Sequence, residues 1–268
     1  MGVETTNSKT SINTIAVDEF PHIPRVEEKG CVVHGKNFAL GIKTTAFSAS
    51  QSSIKPELGS IYVFQRKEQT LTFVATDSFR LIEKTTPQQQ VVFDTSILIP
   101  HKNAIELARI CDLRDENPTL FMSENQCALQ FKDVYITSRL TTGTFPDYEQ
   151  IIPKEYQVHA TLLNNDLQNA LKKTNIFLNK FMQLTFAVDA HSLTLTSVGE
   201  GGTTTESIKA SVEGNPITLN FNQRYIQDVL QHIGDDSITI HFAGVGRPIV
   251  IEGAHDRSLR YLVMPMNK

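Results

Sequence analysis

The stretch ATDSFR at residues 75–80 sets Thr76, Asp77, Ser78 and Arg80 side by side. A hydroxyl, a carboxylate and a guanidinium are materials of nucleophilic or acid–base catalysis, provided a base activates the hydroxyl. No histidine or lysine lies within the stretch. The plainer reading is a turn between two strands, with Asp77 and Ser78 as turn formers. The carboxylates of DLRDENP at 112–118 read as a solvated loop. GEGGTTTES at 199–207 is glycine-rich, but no GK[ST] follows, so a hairpin loop is expected rather than a phosphate cradle. The eight histidines are scattered, and none pairs with a cysteine or carboxylate at metal-ligand spacing. No HExxH, GxSxG or Walker A motif occurs. Cys31, Cys111 and Cys127 form no CxxC and read as reduced, buried thiols of a cytosolic protein. The residues therefore predict no metal, no cofactor and no catalytic centre.

The remaining chemistry is charge and exposed grease. The chain of 268 residues carries 25 Lys+Arg against 29 Asp+Glu, and 40% of it is hydrophobic. That is a globular composition, long enough for two domains, with no overall basicity to attract nucleic acid. No run approaches the roughly twenty apolar residues that span a bilayer. The N-terminal MGVETTNSKTS lacks the apolar core of a secretory signal, and its loose fit to a myristoylation pattern is of a kind that arises by chance. A cytoplasmic protein without a membrane partner is expected. The C-terminus is unusual: RYLVMPMNK keeps Leu262, Val263, Met264, Pro265 and Met266 at a chain end that normally is polar and frayed.

Four segments have the apolar spacing of amphipathic helices. They are GKNFALGIKTTAFSAS, HKNAIELARICD, NNDLQNALKKTNIFLNK and NQRYIQDVLQHI. Each opens near an asparagine that is a plausible cap: Asn37, Asn103, Asn165 and Asn222, spaced by 66, 62 and 57 residues. Between them the chain alternates like strands. Residues 59–140 and 182–266 read alike: three strands, a strand leading to a helix, three strands. EFPHIP at 19–24 and TFPDYEQIIP at 144–153 recur once per pair of helices and suit a domain end. Residues 1–19 look like the last strands of a preceding unit, so a chain lacking most of one domain of roughly 100 residues is expected. The helical segments carry Lys36, Lys43, Lys102, Arg109, Lys172, Lys173, Lys180 and Arg224 against Glu106, Asp112, Asp166 and Asp228. They reverse the sign of the whole chain, and a surface shared by them would attract phosphates without reading bases.

VATDSFRL (74–81), IPHKNAIEL (99–107), TGTFPDYEQIIP (142–153), FNQRYIQDVL (221–230) and YLVMPM (261–266) together resemble the bacterial sliding clamp, the beta subunit of DNA polymerase III. The resemblance covers roughly residues 10–268. It implies an α+β DNA-clamp fold of two complete domains, each of two βαβββ repeats with helices inside and sheets outside. The implied boundaries are 1–27 for the remnant of domain one, 28–155 for the central domain and 156–268 for the C-terminal domain. It implies a processivity factor that encircles double-stranded DNA non-specifically, with the eight cations above facing it. It further implies a hydrophobic pocket for short peptides of the DNA polymerase III alpha subunit, the clamp loader and other proteins with the clamp-binding motif. Carried over motif by motif, the pocket comprises Leu58, Thr76, Ser78, Phe79, Arg80, Leu81, Pro146 and Ile151. The C-terminal domain adds Phe181, Asn222, Tyr225, Pro248 and Leu262, Val263, Met264, Pro265 and Met266. Ser78-Phe79 stands where clamps commonly have Gly-His or Gly-Tyr, and Gln150 where a basic residue is frequent. The family is a homodimer, but two copies without domain one are not expected to close its ring in the usual way. A peptide-binding adaptor that never encircles DNA, and an enzyme centred on ATDSFR, are the alternative readings.

Overall fold

The computed structural model describes residues 1–20, 25–26, 29–52, 54–88 and 95–266. Pro21 to Pro24 of the EFPHIP motif, and Asn267 and Lys268, lie outside the described residues. Four helices form where the apolar stripes fall: α1 (Gly35–Thr45), α2 (His101–Asp112), α3 (Asn164–Thr174) and α4 (Gln223–Leu230). In α2, the buried residues are Ala104, Leu107, Ala108 and Cys111, the i, i+3, i+4, i+7 set. In α3 the same spacing buries Leu167, Ala170, Leu171 and Thr174.

Each helix belongs to a strand–helix–three-strand repeat. The first runs 31–32, α1, 60–64, 70–76, 80–87; the second 97–100, α2, 119–122, 126–130, 135–139. The third runs 158–163, α3, 183–189, 192–199, 202–209, and the fourth 217–222, α4, 237–242, 249–253, 259–263. Repeats interlock in pairs. Strand 97–100 of the second pairs with 60–64 of the first, and 31–32 of the first with 119–122 of the second. The third and fourth repeats exchange 217–222 and 158–163 in the same way. Helices α1 and α2 pack together, as do α3 and α4.

One pairing joins the two halves of the molecule. Strand 259–263 runs antiparallel to 80–87, with Leu259 opposite Lys84, Leu262 opposite Leu81 and Val263 opposite Arg80. A nine-stranded sheet results, in the order 211–214, 158–163, 237–242, 249–253, 259–263, 80–87, 70–76, 60–64, 97–100. Two four-stranded sheets complete these repeats: 135–139, 126–130, 119–122, 31–32, and 202–209, 192–199, 183–189, 217–222.

Four local expectations are corrected. Of the four asparagines, only Asn222 caps a helix, accepting the Arg224 N–H at 3.0 Å. His34 caps α1 through Nδ1, while Asn37 donates to the Pro87 carbonyl. Asn103 donates to Ser138 Oγ, and α2 and α3 begin after Pro100 and Leu163 with no side-chain cap. The chain enters α2 and α3 straight from a strand, while Asn37 and Asn103, a turn inside α1 and α2, reach across to neighbouring elements. The third helical segment ends at Thr174, with one 3-10 turn at Asn175–Phe177. Asn179 Oδ1 then accepts the N–H groups of Phe181 and Gln183, a turn incompatible with helix, so Lys180 is not a helical residue. The strand read as TESIKASV splits at Ala210: 202–209 and 211–214 lie in different sheets. GTTTES belongs to a strand, and only Glu200 and Gly201 turn the hairpin between the Gly199–Gly202 pair. At the N-terminus, strands 2–5 and 8–11 pair with each other and are exposed throughout.

Candidate partner-binding and DNA-facing sites

The Thr76 hydroxyl and the Asp77 carboxylate are engaged in building a turn. Thr76 Oγ1 donates to the Arg80 carbonyl at 2.7 Å, and Asp77 Oδ1 accepts the N–H groups of Phe79 and Arg80, both at 3.0 Å. Ser78 sits at φ +78°, the left-handed region where glycine is at ease. Asp77 Oδ2 takes the Arg80 Nε at 3.0 Å. Most of the acceptor capacity of the Asp77 carboxylate is thereby directed at the turn itself. The acidic loop is spent likewise: Asp112 on Lys43 at 2.6 Å, Asp115 on Lys36 at 3.6 Å and Glu116 on Arg114 at 3.0 Å. Burial pushes the thiols of Cys111 and Cys127 up to about 12, far from nucleophilic range at neutral pH. Among the described residues no three His, Cys, Asp or Glu side chains converge on a metal position.

Around the turn, the structure brings together most of the carried-over pocket residues. The turn presents Phe79 outward, 61% exposed, and the Met264 N–H donates to the Phe79 carbonyl at 2.9 Å. The Met266 N–H donates to the Asn220 carbonyl at 2.7 Å, two residues before the α4 cap. The apolar tail is thereby laid as an extended strip from the turn to the start of α4. Met264 is 38% exposed, and Pro265 and Met266 are half-buried. Pro248 precedes Ile249, the partner of Val263, and so flanks the strip. Asn222 donates to the Phe181 carbonyl at 3.5 Å, and Phe181 is exposed.

Arg80 ties the turn to α4. Its Nη1 donates to Asp228 at 2.6 Å and its Nη2 to the Phe47 carbonyl at 2.8 Å. The guanidinium lies 4.6 Å from the Tyr225 ring centre, and Tyr261 donates its hydroxyl to the Tyr225 carbonyl. Asp228 and Phe47 were invisible as partners in the sequence, being 148 and 33 residues away from Arg80.

Other carried-over residues lie beneath the surface. Leu58, Leu81 and Leu262 are at most 6% exposed and form one cluster with Val74, Leu98, Phe145, Tyr148 and Val250, while Val263 is fully buried. Thr76 is also buried, whereas Pro146 and Ile151 are exposed on either side of Tyr148. Sequence reading missed the ion pair holding that segment. Glu83 accepts both Arg66 Nη groups at 2.8–2.9 Å and the Tyr148 hydroxyl at 2.6 Å. Burial alone would raise the Glu83 carboxyl, but the bonds from Arg66 and Tyr148 outweigh it and hold it below its ordinary value. A cavity of about 670 Å³ opens elsewhere, beside Tyr62, Leu98, Met122 and Phe145, and no carried-over residue lines it.

The eight cations are more neutralised than sequence suggests. Lys36 and Lys43 of α1 meet Asp115 and Asp112, Arg109 meets Glu106, Lys173 meets Glu206, and Arg224 lies 3.9 Å from Asp228. Lys180 lies over the Phe181 ring. Lys102 and Lys172 make no ion pair among the described residues. Exposed pairs of this kind are weak, so the paired lysines and arginines remain exchangeable toward phosphate.

Residues 32–147 match the family model of the DNA polymerase III beta subunit, central domain, and residues 149–267 that of its C-terminal domain. A beta sliding clamp of Staphylococcus aureus strain Mu50 is 27% identical over 267 residues, 97% of this chain and 70% of the relative. A beta sliding clamp of Staphylococcus epidermidis matches to the same extent. The DNA polymerase III subunit beta from Pseudomonas aeruginosa superposes with a TM-score of 0.92 at 22% identity, over all of this chain and 74% of that one. The DNA polymerase sliding clamp from Bacillus subtilis gives 0.91 at 25% identity, over all of this chain and 72% of that one. A P. aeruginosa clamp bound to griselimycin gives 0.91 at 23%, over all of this chain and 73% of that one. With two family models meeting at residues 147–149 and running to within two residues of its end, the chain belongs to the DNA polymerase III beta subunit family, the sliding clamps, which are processivity factors rather than enzymes.

Proposed function

We propose that this chain works as a processivity clamp: it encircles duplex DNA through non-specific phosphate contacts and tethers replication and repair proteins by their short apolar peptides. Residues 28–155 and 156–268 would be its central and C-terminal domains. The observation that carries the reading is the strip of Met264, Pro265 and Met266 laid between Phe79 and the start of α4. An apolar strip held at a soluble protein's surface by backbone hydrogen bonds is a docking feature rather than a frayed end. Flexible thioethers can repack around different peptides, which suits exchange between partners. Two or three buried peptide side chains would each contribute about 1.5–3 kcal/mol before ordering costs, giving weak and exchangeable binding. The partners would be the DNA polymerase III alpha subunit, the clamp loader and other proteins carrying the clamp-binding motif. A P. aeruginosa clamp of this fold binds griselimycin, which is in keeping with a ligand-binding surface here.

The test is the affinity of a fluorescent clamp-binding peptide measured by anisotropy. Phe79→Ala and Met264→Ala, both at exposed positions, should each weaken binding by about ten-fold, the equivalent of roughly 1.4 kcal/mol. Unchanged binding by both variants sinks the pocket.

A further inference from the structure

One carboxylate stands within reach of two arginines that serve different candidate surfaces. Asp228 belongs to α4. Its Oδ2 accepts Arg80 Nη1 at 2.6 Å, and Arg224 Nε stands 3.9 Å from the same oxygen. Arg80 has a side chain only 10% exposed and closes the turn that presents Phe79 beside Met264. Arg224 is 70% exposed at the start of α4, one helical turn before Asp228, and is among the cations assigned to phosphate.

The other anchors of Arg80 are firmly placed. Its Nε meets Asp77 Oδ2 at 3.0 Å inside the turn, and its Nη2 meets the Phe47 carbonyl at 2.8 Å. The Phe47 ring is itself stacked on His232, 4.9 Å between centres and 5° between planes, which joins the end of α1 to the residues after α4. The guanidinium lies 5.3 Å from the Phe47 ring centre and 4.6 Å from that of Tyr225. Asp228 differs from these anchors. It is 27% exposed and has a second cation competing for its oxygen. The two guanidinium groups repel each other, and a pair half-sheltered from water is screened less than a surface pair. Whatever draws Arg224 outward relieves that repulsion and leaves the carboxylate to Arg80.

We propose that Asp228 is a positioning residue that couples the peptide surface to phosphate through these two arginines. A DNA phosphate that engages Arg224 strengthens the bond from Arg80 to Asp228. That bond firms the turn 76–80 beneath Phe79, and the peptide binds more tightly. The coupling is reciprocal, so the peptide strengthens the hold on DNA by the same factor. Asp228 itself touches neither ligand. The coupling rests on the clamp reading of the two surfaces.

The test measures the affinity of a fluorescent clamp-binding peptide for the 268-residue chain by anisotropy at low salt, with and without a short linear duplex. Arg224→Gln removes the competing cation. Without DNA it should tighten peptide binding by about three- to five-fold, the low end of measured site–site couplings. A merely structural role for Arg224 predicts no gain. Asp228→Asn keeps the shape of the side chain and removes its charge; it should weaken the peptide, and Arg224→Gln added to it should then bring no gain. On the unmodified chain, a saturating duplex should tighten the peptide by about the same three- to five-fold, and on Arg224→Gln it should add nothing. Circular dichroism confirms that each variant is folded. Peptide binding and labelled-duplex binding to the unmodified chain read the clamp reading by themselves, and failure of either overturns that reading and the coupling with it. Where both ligands bind, three results overturn the coupling alone: an Arg224→Gln chain that gains no peptide affinity, an equal gain when Asp228 is already Asn, or a duplex that leaves peptide affinity unchanged.

Discussion

At the scale of single residues, the turn 76–80 shows how a catalytic-looking cluster becomes scaffold. The Thr76 hydroxyl donates to the Arg80 carbonyl and accepts the Ser78 N–H, and the Asp77 carboxylate accepts the N–H groups of Phe79 and Arg80 and the Arg80 Nε. That Asp77 and Ser78 form a turn was legible, since both residue types favour turns. That Ser78 occupies φ +78° was not, because only the closed geometry of the 70–76/80–87 hairpin demands it. A side chain there is strained, because the left-handed region crowds a Cβ. Ser78→Gly should raise stability by about 0.5–1 kcal/mol, the left-handed penalty less the added freedom of glycine in the unfolded chain. Urea denaturation followed by circular dichroism measures it, and a loss of stability would show that the Ser78 hydroxyl contributes more than its backbone costs.

At the scale of elements, the helix stripes were legible because burial and the 3.6-residue period demand each other. The helix starts were not. Three of the four asparagines sit two or three residues past the cap position, and the strands that feed α2 and α3 supply no capping side chain. α1 carries a further constraint invisible in composition. A Cβ on Gly41 would lie 2.3 Å from the Phe73 ring, so the glycine lets α1 settle onto strand 70–76. Gly→Ala inside a free helix stabilises by about 1 kcal/mol. Here overpacking reverses the sign, and Gly41→Ala should destabilise by roughly 1–3 kcal/mol in a urea titration. A stabilised variant would mean that Phe73 can move aside at little cost.

At the scale of the whole molecule, the seam between 80–87 and 259–263 matters most. It draws Arg80 into contact with Asp228 and Phe47, and it buries Leu262 against Leu81. It also leaves the last described residues on the surface beside Phe79. The helix cations belong to the same scale. Lys36, Lys43 and Lys173 meet acids from other elements, so a count along each helix overstates the net positive field. Lys102 and Lys172, which make no ion pair among the described residues, should dominate the proposed phosphate contacts. On a short linear duplex, the double variant Lys102→Gln, Lys172→Gln should bind more weakly and lower the salt slope of log K by about one for each charge removed. An unchanged slope would place both lysines away from DNA.

Periodicity, turn chemistry and the recurrence of one strand–helix pattern were written in the sequence, because each depends on neighbours within a few residues or on repetition of the same local physics. From these alone came the four helices, the likeness of 59–140 to 182–266 and the oddly greasy tail. Only the tertiary structure decided what each side chain meets across 30 to 150 residues. It sank Leu58, Leu81, Leu262 and Val263 below the surface, paired the helix cations with acids, and turned Arg80 toward α4. Exposure and ion pairing are properties of surfaces brought together by folding, and no local pattern along the chain encodes which surfaces those will be.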